Sequence, residues 1–70
     1  MKSMNLTQIN VLINDLCDTY KDFTKKGIQS KFYGFAKDLL IDFKFYGFNI
    51  FDLEIINQAI YNICGKKVIL

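Results

Sequence analysis

The sequence predicts an all-α protein, a compact three-helix bundle in which neighbouring helices run antiparallel. Three observations carry this. Proline is absent and glycine occurs only 4 times, so little interrupts a long helix. Gly27, Gly47 and Gly65 each follow a segment whose apolar residues recur at helical spacing. Asn5, Ser30 and Asn49 stand where such segments begin, and short polar side chains of this kind cap helix N-termini. Helices are therefore placed at about residues 5–26, 30–46 and 49–64, within one domain of residues 1–70, followed by the short tail Lys66-Lys67-Val68-Ile69-Leu70.

The first helix opens with Asn5, with Gln8 three positions on, the spacing of a capping box. Met4 and Ile9 are spaced as its hydrophobic staple. Leu6, Ile9, Ile13, Leu16, Tyr20 and Phe23 form an inward stripe, flanked by Leu12 and Cys17. Val11, Asp15, Asp18 and Asp22 form the opposite ridge. Three carboxylates there are a solvated face: they span more than one turn and have no histidine beside them to complete a metal site.

The second helix carries Phe32, Ala36, Leu39, Phe43 and Tyr46 inward, with Phe35 and Leu40 bordering. Gly34, Ile41 and Phe45 form a second apolar line on its far side. A helix apolar on two sides is sandwiched or offers an interface. The pentapeptide Lys-Phe-Tyr-Gly-Phe occurs here twice, at residues 31–35 and 44–48. The copies are spelled alike but do different things. With Gly47 as the left-handed stop, Phe48 folds back onto Phe43, an apolar pair. With Gly34 as a stop, Phe35 would meet the polar Ser30. Gly34 is therefore placed inside the second helix, at about 1 kcal/mol relative to alanine.

The third helix starts at Asn49, with Asp52 in its first turn and a Phe48–Leu53 staple. Leu53, Ile56, Ala59, Ile60 and Ile63 face inward, and Phe51 and Ile55 lie off that face. The tail is expected to tuck under the bundle. The predicted core holds Leu6, Ile9, Ile13, Leu16, Tyr20, Phe32, Leu39, Phe43, Leu53, Ile56, Ile60 and Ile63.

Composition narrows function. The chain has 70 residues, 51% of them apolar and 16% aromatic. Surface scaling gives a folded area of about 4,500 Å² against about 12,000 Å² unfolded, so about 60% can be hidden. Apolar residues exceed that interior, and the surplus implies a partner surface. There is no histidine, hence no Ser/His or Cys/His dyad. Cys17 and Cys64 lie on or beside inward stripes, where thiols are structural, and equal heights on parallel helices would let them meet. No phosphate loop or metal-ligand spacing occurs. No cofactor, metal, small-molecule substrate or enzymatic activity is expected. No apolar run spans a membrane, the first residues lack a signal-peptide core, and a cytoplasmic location follows as the default.

Two functional classes remain. The favoured one is a non-enzymatic protein–protein interaction module, a small regulator or inhibitor, acting on a protein partner or on itself as a homodimer. Its binding residues would be Gly34, Ile41, Phe45, Phe51 and Ile55. Its size and its Lys-, Ile- and Asn-rich composition suit a gene carried by a phage, a plasmid or an AT-rich bacterium. The rival is a nucleic-acid-binding regulator using lysines of the first two helices, among them Lys31, Lys37 and Lys44. A net charge of +2 and the absence of arginine weigh against it, as do Asp52 and Glu54 at the start of the third helix.

Overall fold

Helix α1 spans Leu6–Lys25, α2 spans Phe32–Phe45 and α3 spans Ile50–Cys64 in a computed structural model that describes all residues 1–70. The expected three-helix bundle is the fold. A single 3₁₀ turn, Gln29–Lys31, leads into α2. The predicted boundaries fall on the caps or, at Cys64, on the last helical residue, with one exception. Ser30 makes no cap; it lies in the 3₁₀ turn, and α2 begins without a side-chain cap.

The start and stop signals operate locally, as read. Asn5 Oδ1 accepts from the Gln8 amide at 2.8 Å, and Gln8 Oε1 accepts from the Asn5 amide at 2.9 Å. Asn49 Oδ1 accepts from the Phe51 amide at 2.9 Å. At the α1 exit the Ile28 amide donates to Phe23 O at 2.8 Å and the Gly27 amide to Thr24 O at 3.0 Å. At the α2 exit Phe48 donates to Phe43 O at 3.1 Å and Gly47 to Lys44 O at 3.0 Å. Both are Schellman exits. The Phe43 and Phe48 rings meet edge to face at 5.3 Å. Gly65 closes α3 with a single bond to Tyr61 O, 2.7 Å, as its poorer flanking pair implied. Gly34 lies within α2, so the two pentapeptides serve different ends.

The core consists of Ile9, Leu16, Phe32, Ala36, Leu40, Leu53, Ile56, Ile60 and Val68. Ile13, Tyr20, Leu39, Phe43 and Ile63 are half-buried and pack against it. The Phe32 ring is enclosed by Tyr20 and Phe23, edge to face at 5.2 and 6.5 Å. Two inward assignments fail at helix ends, of which Leu6 also belongs to the predicted core. Leu6 is 72% exposed. The buried positions of α1 are Ile9 and Leu16, so its first turn turns Leu6 away from the core. Tyr46, expected inward, caps α2 and is exposed, its ring against Phe45 and under the Lys2 ammonium.

A third correction concerns rotation. Leu40, expected at the border, is fully buried, whereas Leu39 is half-buried. The buried positions of α2 step by four, Phe32, Ala36 and Leu40. Helix α3 packs broadly on both other helices, and α1 touches α2 less. The inward stripe of α2 is therefore turned toward α3.

Both ends of the chain return to the bundle. The Lys2 amide donates to Gly47 O at 2.9 Å, and the Asn49 amide donates to Lys2 O at 2.7 Å. The Met4 amide donates to Asp52 Oδ2 at 2.9 Å. These contacts strap residues 2–4 across the α2–α3 turn, and nothing in the sequence reading foresaw them. The tail tucks as expected: Val68 is buried, Tyr33 Oη donates to Lys67 O at 3.1 Å, and Lys44 Nζ donates to Leu70 O.

Candidate interaction surface

Helix α2 presents Gly34, Ile41 and Phe45 to solvent along its far side. Ile41 is 42% and Phe45 83% exposed, and a Cβ at Gly34 would meet nothing within 4 Å. No part of the chain folds over this line. The sandwich reading of α2 therefore does not hold for it, and the second apolar side of the helix stands open.

Helix α3 adds Phe51, 77% exposed, and Ile55, 50% exposed, one turn apart. Phe45 ends α2 and Phe51 stands in the first turn of α3, joined by a four-residue connection, Tyr46–Asn49. The fold thereby brings Ile41, Phe45, Phe51 and Ile55 to one end of the α2–α3 hairpin. Gly34 is left near the other end, two turns from Ile41. Tyr46 and Ile50, also exposed, extend the same end and were not foreseen as part of it. The signal for them was their place beside the turn, where few neighbours can cover a side chain.

A second concave feature lies between α1 and the α2 exit. It is an open groove of about 380 Å³ whose apolar wall is formed by Met4, Val11, Leu12, Phe43 and Phe48, with Asp15 at its rim. It exists because α1 and α2 meet only partly along their lengths. The groove and the strap residues went unrecognised in the sequence, since both depend on how far two helices diverge.

Asn57 is the one buried polar side chain. Its Nδ2 donates to Val68 O at 2.7 Å and its Oδ1 accepts from Val68 N at 2.8 Å. A polar residue between Leu53, Ile56 and Ile60, ahead of an apolar tail, was the available signal. Cys17 and Cys64 are free and half-buried, less enclosed than their stripes suggested. Asp15, Asp18 and Asp22 remain an exposed ridge, and no three His, Cys, Asp or Glu side chains converge. No helix is long and apolar enough to cross a membrane.

No family model matches the chain, and neither a curated protein nor a solved structure matches it. The functional reading rests on the surfaces alone.

Proposed function

We propose that this chain is a non-enzymatic protein–protein interaction module, a small regulator or inhibitor that binds a protein partner or a second copy of itself. The binding surface is the end of the α2–α3 hairpin, with Phe45 and Phe51 as anchors and Ile41 and Ile55 beside them. One observation carries the reading: two phenylalanine rings, 83% and 77% exposed, flank one short turn. Burying a ring of this size yields about 1.5–3 kcal/mol, and aromatic residues dominate interface energetics. Gly34 extends the line and would let another backbone approach closely.

The test compares wild type with Phe45→Asp and Phe51→Asp. Light scattering at micromolar concentration reads self-association, and capture from host extract reads a second protein. A dimer lost in both variants supports pairing with itself. A monomer that retains one partner, released by both variants, supports a heterologous complex. Equal behaviour of all three proteins in both assays removes this surface from consideration.

A further inference from the structure

The net charge of +2 conceals a strong polarisation. The end of α1, the start of α2 and the end of α3 share one pole of the bundle. The edge-to-face pair of Phe23 and Phe35 and the bond from Tyr33 to Lys67 fasten these three ends together. Lys21, Lys25, Lys26, Lys31, Lys66 and Lys67 all belong to this pole, and Asp22 is its single carboxylate. The other three lysines share the rest of the molecule with six carboxylates. The longest extent of the molecule is 38 Å, whereas charges are screened over about 8 Å at physiological salt. The basic pole therefore acts as a surface separate from the opposite end, where Lys2 and Lys44 stand among Asp42, Asp52 and Glu54.

Aromatic rings interleave with the lysines. The Lys66 ammonium lies over the Tyr33 ring at 5.5 Å, and the Lys67 ammonium over the Tyr61 ring at 6.0 Å. Tyr61 and Phe35 are exposed. Cations for phosphates beside π-faces for bases form the arrangement that holds single strands without reading sequence. No one helix presents these lysines as a row. They come from three helix ends and a tail, so nothing is shaped to enter a major groove. An anionic membrane fits less well. Of the most exposed apolar side chains, Met1, Leu6, Phe45 and Phe51 sit at the opposite end, and only Ile69 of the tail adjoins these lysines.

We infer that the basic pole binds single-stranded nucleic acid, through phosphate contacts from Lys25, Lys26, Lys31, Lys66 and Lys67 and base stacking on Tyr61. This site is distinct from the proposed protein-binding surface and goes beyond that reading. The lysines of the tail, outside the earlier nucleic-acid reading, complete it.

The test titrates a fluorescein-labelled oligothymidylate of about 20 nucleotides into the full chain and reads anisotropy. With four or five phosphates engaged, affinity falls about 50- to 130-fold between 50 and 200 mM salt. Lys66→Gln with Lys67→Gln weakens binding at least about tenfold and flattens the salt slope, whereas Lys2→Gln with Lys37→Gln changes affinity less than about twofold. Tyr61→Ala weakens binding at every salt concentration with an unchanged slope. Circular dichroism confirms that each variant is helical. Phe45→Asp binds the oligonucleotide as wild type does, which keeps this test separate from that of the hairpin surface. Three results overturn the inference: no binding at 50 mM salt, equal losses in the two lysine pairs, or equal affinity for anionic phospholipid vesicles.

Discussion

Asn57 and Val68 exchange two hydrogen bonds, the side-chain amide of one satisfying both backbone groups of the other, at 2.7 and 2.8 Å. The pair works as one rung of a sheet ladder between a helix side chain and an extended tail. It seats Val68 in the core, 11 residues along the chain.

Removing this rung leaves a buried N–H and C=O without partners. Asn57→Leu should therefore destabilise the fold by about 1–3 kcal/mol in urea unfolding, despite its apolar side chain. Asn57→Asp behaves differently. Its carboxylate can accept from the Val68 amide but faces the Val68 carbonyl, and only the protonated acid can donate there. Burial beside that carbonyl raises the folded-state pKa above the unfolded value. The variant should gain stability as pH falls through that raised pKa, while Asn57→Leu stays flat over the same range.

Leu40 and Leu6 should exchange the ranks that sequence spacing assigned them. Leu40 is fully buried, so Leu40→Ala should cost about 2–5 kcal/mol. Leu6→Ala should stay within about 0.5 kcal/mol, since the side chain is already in solvent. Denaturant midpoints at constant slope measure both.

The two pentapeptide copies offer an internal control. Gly34 sits in a helix with open space around its absent Cβ, and Gly34→Ala should stabilise by up to about 1 kcal/mol. Gly47 has φ +88°, a conformation that costs an L-residue about 1–2 kcal/mol. Gly47→Ala should therefore lower the melting temperature, and Gly34→Ala should raise it.

Phe45 and Phe51 separate binding from stability. An aspartate at position 45 meets the negative end of the α2 dipole, and one at position 51 meets the positive end of α3. Phe45→Asp should lose about 0.3–1 kcal/mol and Phe51→Asp should gain about as much. If both nevertheless weaken association, the effect belongs to the lost rings. Thermal melts paired with the association assay decide this.

Helix limits were legible because they are local. Asn5, Gln8, Asn49, Gly27, Gly47 and Gly65 act on backbone groups within a few positions, and those interactions depend on no distant neighbour. Ser30 misled for a related reason: a capping side chain is suited to several turns, and the chain entered α2 through a 3₁₀ turn instead. The core was legible where one stripe faces both other helices, as at Ile9, Leu16, Ile56 and Ile60. It was illegible at Leu40, because the rotation of α2 is decided by the unequal contact it makes with α1 and α3. The exposure of Phe45 and Phe51 followed from counting apolar faces. The basic pole did not, because Lys26 and Lys67 are brought to one end only by the order and direction of the helices.

The strap at Lys2 and the tail at Leu70 both attach near the last turn of α2, one at Gly47 and Asn49 and the other at Lys44. Positions 2 and 70 are thus both held by the same end of the α2–α3 hairpin. A circularised chain reopened between α1 and α2, at Gly27, should refold to the same arrangement. By the same reasoning, the whole bundle could be spliced into a surface loop of an unrelated host protein without pulling that loop apart.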